Sequence, residues 1–325
     1  MSKIISSFKI TGYGSYLPPK IQTSKELSEL IGKSEDWIIS HTGVDERRIS
    51  DIDVDRMGAI AAREAIGNKE KPDLIINASG VPKQTLPDTS VFIQKELGYD
   101  AIPSFSIHST CLSFIVALNS ATSLLKTNLY QRILIISSDR GTRGRNFNEP
   151  ESSSLLGDAA AAVYIEKTND QTEGIISYTM NTYPSGASLT QVRGGGTNLH
   201  PQDKKTRKSD NLFSMNGPQV YRMARKKVYD LVKKDLEKNN LKISDINLVI
   251  PHQASGMAVK AYSKYGGFKQ DNVIDIISKT GNCVAASIPL ALVMAYKDNR
   301  IKKGDLLYLI GTGAGLSIAS CIIRV

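Results

Sequence analysis

The chain has 325 residues, 41% of them hydrophobic, and a formal net charge of +9 at pH 7, which allows two ordinary domains or one large fused unit with a sizeable core. No run of about 18 uncharged apolar residues occurs, and Met1 to Ile10 has neither the apolar stretch nor the cleavage site of a signal peptide, so a cytoplasmic protein without a membrane span is expected. Three cysteines without a CxxC pair, and without metal-ligand spacing to the four histidines, argue against zinc and for reduced thiols, and the positive charge lacks the basic tail or aromatic-interleaved motif of a nucleic-acid binder.

Helical patterns over 23–31 and 57–66 precede a strand-like run, Leu74-Ile75-Ile76, inside PDLIINASG (72–80). The strand-like SFSI (104–107) leads into STCLSFIVALNSATSLLKTN (109–128), a polar turn opening a helix predicted over 112–126. RILIISSDRG (132–141) and AAAAVYIEK (159–167) follow as strands. After a helix over 219–239 the same blocks return in the same order: INLVIPHQAS (246–255), GNCVAASIPLALVMAYKDNR (281–300) with a helix over 285–297, DLLYLIGTGAG (305–315) and LSIASCIIRV (316–325). Continuous apolar strands predict sheets covered on both faces of an α/β protein. The repeated order suggests duplication of one α/β unit, with chance likeness of two α/β segments as the alternative. The halves are set at 1–170, holding the candidate cysteine, and 171–325, holding the candidate histidine and asparagine. Packing them together would bring corresponding strand-to-helix turns into one shared site.

Cys111 follows a strand and opens a helix, where free backbone N–H groups and the helix dipole favour an anion; a lowered pKa and thioester exchange are expected, against the alternative of a small buried thiol. His252 stands at a strand end, where side chains face crevices, although a structural histidine fits the same place. Asn282 lies in the block that echoes the Cys111 turn, and its amide either caps the next helix or donates into the site. Cys283 needs no role beyond filling space. GTGAGLS (311–317) is no dinucleotide loop, because a strand rather than a helix follows it; its small residues let backbone N–H groups approach a substrate. Such an N–H, with that of Cys111, would form an oxyanion hole.

STCLSF around Cys111, PHQAS around His252, GNCVAASIPLAL around Asn282, LGDAAAAVYI (156–165), MNGPQVYRMA (215–224) and SEDWIISHTGVDERRI (34–49) resemble, in order, the motifs of β-ketoacyl-acyl carrier protein synthase III. The resemblance implies a thiolase-like fold of two duplicated halves in five layers, α-β-α-β-α, usually a homodimer. It implies an acyltransferase working in fatty-acid biosynthesis or in polyketide or other secondary metabolism. Cys111 would carry the acyl group as a thioester, while His252 and Asn282 steady the enolate left when a malonyl thioester loses CO2. By the same resemblance the Cys111 and Ala314 N–H groups form the oxyanion hole, and Trp37, Leu86, Met215, Gly217, Tyr221, Ala254 and Ser255 bind substrate. No cofactor is implied beyond coenzyme A or carrier thioesters, and no metal. The departures concern substrate: His41 and Pro150 stand where two coenzyme A-binding arginines are usual, Leu86 where the residue contributed across the dimer to the tunnel end is commonly phenylalanine, and Ser255 where an asparagine follows PHQA. A longer, branched or carrier-bound acyl donor is the expectation.

At 100° per residue Arg222, Lys226 and Lys233 fall opposite Val220, Ala224, Val228 and Leu231, so the helix over 219–239 is read as basic on one side. With Lys260 and Lys264 it would dock an acidic acyl carrier protein; an ordinary solvated face is the alternative. Two other functions compete. One is an acyltransferase of the same fold that moves the acyl group from Cys111 to a hydroxyl or amine without decarboxylation. The other is a non-catalytic acyl-binding or nucleic-acid-binding protein. A papain-like hydrolase shares the Cys, His and Asn set but not the internal repeat.

Overall fold

The computed structural model describes residues 3–325, so Met1 and Ser2 of the stretch read for a signal peptide lie outside it. Strands form in chain order as β1 (Ser6–Tyr16), β2 (Lys20–Thr23), β3 (Glu46–Ile49), β4 (Leu74–Asn77), β5 (Ser104–Ser106), β6 (Arg132–Arg140), β7 (Asp158–Lys167), β8 (Gly174–Thr182), β9 (Thr190–Gln191), β10 (Ser214–Met215), β11 (Leu248–Pro251), β12 (Leu306–Gly313) and β13 (Ser317–Arg324). Two pairs, β2 with β3 and β9 with β10, are small ribbons; the remaining nine strands run β11-β12-β13-β8-β1-β7-β6-β4-β5.

That order is one five-strand pattern written twice. In the first half β4 pairs in parallel with β5 and β6, while β6–β7 and β7–β1 are antiparallel. In the second half β11 pairs in parallel with β12, β12–β13 and β13–β8 are antiparallel, and Val273 bridges Val249 in parallel at the place β5 has beside β4. The two sheets are joined by the short pairing of Ser6 with Ile175 and Ser7 with Gly174, next to the Ile5 N–H donated to Ile175 O.

Side-chain alternation along the strands separates the layers, since successive residues face opposite sides of a sheet. Ile133 and Ile135 of β6, and Leu307 and Leu309 of β12, pack into one central core with the helices Ser113–Lys126 and Ser287–Lys297. The intervening Leu134 and Ile136 face the helix Val54–Ile66, and Tyr308 and Ile310 face the helices Gly217–Lys238 and Gly256–Lys264. Helix, sheet, paired helices, sheet and helix make the expected five layers. Each buried aliphatic side chain contributes about 1.5–3 kcal/mol, and both sheets are apolar on both faces as the sequence pattern requires. The predicted helices and strands are present with ends moved by up to four residues, the helix predicted over 57–66 starting at Val54 and that predicted over 285–297 at Ser287.

Glycine decides how the halves meet. A methyl group on Gly157 would stand 2.0 Å from the Thr280 carbonyl oxygen, so only glycine lets the chain before β7 run beside the 280–282 turn. There Gly157 donates its N–H to Asn282 O at 3.0 Å, and Asn282 donates to Leu155 O at 2.8 Å.

Candidate active site

Cys111 sits in a tight turn. Thr110 has φ of 49°, Leu112 N–H donates to Ser109 O at 3.0 Å, and the Ser113 hydroxyl accepts from Ser109 N–H at 2.9 Å. The helix begins at Ser113, one residue later than predicted, so Cys111 stands two residues before it. The expected fall in pKa does not occur. Burial, reinforced by the nearby Asp139 carboxylate, pushes the Cys111 thiol up to about 12, although the N–H groups of Ala314 and of Cys111 itself pull the other way. Desolvation outweighs the helix terminus here, because the thiol lies inside the layer stack rather than over an open helix end. The two N–H groups acting on the sulfur are the pair expected to form an oxyanion hole.

His252 follows β11, where its N–H donates to Ile310 O at 2.8 Å and locks the strand end to β12. The ring is buried, and burial lowers its pKa to about 4, so the imidazole is neutral at physiological pH. Its Nδ1 has no hydrogen-bond partner among the described residues. Asn282 divides its amide: Oδ1 accepts from Val284 N–H at 2.9 Å and Nδ2 donates to Ala254 O at 3.3 Å. Neither following helix has a side-chain cap from it, and its donor reaches the carbonyl two residues past His252.

Close packing around two glycines brings the segments that carry the three residues together. A methyl on Gly311 would meet His252 Cβ at 2.8 Å and Leu112 Cδ2 at 3.2 Å, so His252 and the neighbour of Cys111 flank one glycine. A methyl on Gly80 would meet Val284 Cγ1 at 2.6 Å and Thr110 O at 3.6 Å, so the Asn282 turn and the Cys111 turn flank another.

A cavity of about 1070 Å³ opens between the helices Gly217–Lys238 and Gly256–Lys264 and reaches His252, Gly311 and Thr312. Met215, Gly217, Tyr221, Ala254 and Ser255 all line it, joined by Val228 from the apolar side of the helix and by Val232, Ala261 and Tyr262, which the sequence pattern did not mark. Cys111, Asn282 and Ala314 are not in its wall; Cys111 is partly accessible beside it. Trp37 and Leu86 stand apart. His41 stacks on Trp37 with ring centroids 4.2 Å apart, and Leu86 is 80% exposed. Of the basic residues, Arg222 and Lys226 line the cavity and are exposed, and Arg225 joins them. Lys233 pairs with Glu237, Lys264 lies over Tyr265, and Lys260 lines a separate cleft with Asp271 and Arg300, so the predicted patch is not one continuous rim. Among the described residues no group of three or more His, Cys, Asp or Glu side chains is arranged to hold a metal, and no helix is long and apolar enough to cross a membrane.

Residues 105–184 match the family model of 3-oxoacyl-[acyl-carrier-protein (ACP)] synthase III and residues 236–325 its C-terminal model. The β-ketoacyl-[acyl-carrier-protein] synthase III of Aliarcobacter butzleri is 31% identical over 96% of this chain and 96% of its own length; that of Natranaerobius thermophilus is 32% identical over 98% and 100%. The chain belongs to the β-ketoacyl-[acyl-carrier-protein] synthase III family. Members of known structure superpose along nearly its whole length. The synthase III of Pseudomonas aeruginosa gives a TM-score of 0.91 at 26% identity, covering 98% of both chains, and that of Aquifex aeolicus 0.88 at 29%, covering 98% of this chain and all of its own. The priming β-ketosynthase of the R1128 polyketide pathway gives 0.89 at 25%, covering 100% of this chain and 98% of that one. This thiolase-like likeness agrees with the five-layered fold, and the family is one of enzymes.

Proposed function

We propose that this family member is an acyltransferase that catalyses decarboxylative condensation of an acyl thioester, held on Cys111, with a malonyl-type thioester. The observation that carries the reading is the gathering of Cys111, His252 and Asn282 from two halves of the chain beside one deep cavity. In the first step the Cys111 sulfur attacks the donor carbonyl, its proton leaves with the departing carrier thiol, and the Cys111 and Ala314 N–H groups hold the carbonyl oxygen. A thiol near pKa 12 at rest is mostly protonated, so proton removal accompanies attack instead of preceding it. In the second step the malonyl group loses CO2 and its electron pair collects on the thioester oxygen. Neutral His252 and the Asn282 amide donate to that enolate oxygen without needing a strong base. Its carbon then bonds the acyl carbon and the S–C bond to Cys111 breaks.

The substrate side follows from the cavity. At about 1070 Å³ it stands at the upper end of ordinary ligand pockets, and Val228, Val232 and Ala261 along it suit an acyl chain longer than acetyl. His41 already covers one face of Trp37, which favours a donor arriving on an acidic carrier protein at Arg222 and Lys226 over one held by its nucleotide. No cofactor beyond the thioesters is called for, and the enzyme acts in the cytoplasm as a homodimer in which exposed Leu86 enters the partner. Intact-mass measurement of Cys111 with acetyl, medium-chain and long-chain thioesters tests the reading, together with CO2 release from malonyl thioester. Acyl mass on Cys111 with preference for longer chains is expected. Acylation without CO2 release would leave an acyltransferase to another acceptor, and no acyl mass at all would end the proposal.

A further inference from the structure

One buried charge has no part in the steps above. Asp139, near the end of β6, is 0% exposed and forms no ion pair among the described residues. Its oxygens are satisfied by backbone alone: Oδ1 accepts from Gly80 at 2.8 Å and Val81 at 2.7 Å, and Oδ2 from Ala286 at 3.1 Å. A lone carboxylate in the interior is costly even when hydrogen-bonded. It is held between a loop of the first half and the turn after Asn282 in the second.

The duplication says what that place is. Ala78 N–H donates to Ile136 O as His252 N–H donates to Ile310 O. Three residues further along each strand stand Asp139 and Gly313. The Ser109–Ser113 turn has its equivalent in Cys283–Ser287: Thr110 and Val284 have φ of 49° and 52°, Leu112 N–H meets Ser109 O and Ala286 N–H meets Cys283 O at 3.0 Å, and Ser113 and Ser287 hydroxyls accept from Ser109 and Cys283 N–H. The second-half turn is met by the Asp139 carboxylate. Against the first-half turn stands Gly313, where a methyl would lie 2.5 Å from Thr110 Oγ1.

We propose that Asp139 is a positioning residue, a built-in carboxylate that occupies in one half the place equivalent to the open site beside Cys111 and so clamps the Gly80–Val81 loop to the Cys283–Ser287 turn that follows Asn282. The assignment of work to Cys111 and Asn282 rests on the condensing reading above; the clamp itself rests on the hydrogen bonds. Two other titratable groups feel this charge, the thiols of Cys111 and Cys283, and it raises both. Burial brings the carboxyl itself up to about 7 despite the N–H groups around it.

Two variants test the clamp. Asp139→Ala removes the anion and leaves room for formate, so condensation should fall at least tenfold and sodium formate, but not sodium chloride, should restore at least threefold. Asp139→Asn keeps the size, removes the charge and puts an NH2 that cannot accept where one oxygen took a backbone N–H, so the midpoint pH for iodoacetamide labelling of Cys111, followed by peptide mass, should drop by about one unit, a tenfold gain in thiolate at fixed pH. An alanine variant with wild-type rate, or one whose loss ignores formate while the asparagine variant labels as wild type does, would overturn it. If the alanine variant does not fold, the labelling midpoint of the asparagine variant decides alone. Labelling needs no thioester, so failure of the condensing reading would show separately, as absence of acyl mass on wild-type Cys111.

Discussion

The turns Ser109–Ser113 and Cys283–Ser287 share a left-handed second residue, a serine hydroxyl that accepts from the first N–H, and a following helix, yet they carry opposite chemistry. In that register Cys111 is equivalent to Ala285, and His252 to Ala78. Each half thus supplies its reactive side chain at one of two equivalent places and an alanine at the other. The difference teaches that the duplicated unit is a scaffold of turns and N–H groups, and that reactivity depends on which turn stands against Gly313 and which is met by Asp139.

The sharpest way to break the comparison is to move the nucleophile. Cys111→Ala should lower condensation by more than about 10³-fold, and adding Ala285→Cys in the same chain should acquire no acyl mass, because that turn faces a carboxylate; acylation at residue 285 would show the two turns to be interchangeable.

A smaller effect distinguishes His252 from its equivalent, Ala78. The folded pKa of His252 is depressed to about 4 against an ordinary 6.5, so its contribution to stability is complete above about pH 6.5 and is lost as pH falls toward 4, when the unfolded chain takes up a proton that the folded chain refuses. Urea titrations at pH 7 and 5 should show that loss in the wild type and a shallower one in His252→Ala. The same variant should slow decarboxylation by about 10²–10³-fold.

The smallest effect concerns the outer helix of the second half, whose exposed Arg222, Arg225 and Lys226 line the cavity, whereas the exposed Arg56 and Arg63 of the first-half helix Val54–Ile66 are not in its wall. Arg222→Glu with Lys226→Glu should raise KM for a carrier-bound donor several-fold, less at high salt, and leave a small thioester surrogate unaffected. An equal change for both donors would return those charges to an ordinary solvated surface.

Apolar strand runs, the order of the blocks and the type of each long helix were legible in the sequence, because alternation and unbroken hydrophobic runs report local burial. So were Cys111, His252 and Asn282 as candidates, and the small residues near 311–317. The register of the repeat was not. Aligning GNC with STC puts Asn282 beside Thr110, whereas the hydrogen bonds pair Cys283 with Ser109, a shift that only the turn geometry reveals. Asp139 was also invisible, being one acid at a strand end, and its partners are backbone groups that leave no mark in residue type.

What the sequence determined by itself was therefore the set of elements and the residues able to react, since both depend on side-chain chemistry and short-range pattern. Tertiary structure alone decided the pKa of Cys111, the seating of Asn282 against Leu155 and Gly157, and the cavity between the two outer helices. Those depend on desolvation and close approach between segments more than a hundred residues apart, or on the space left between packed helices, and neither quantity is written in any local stretch of the chain.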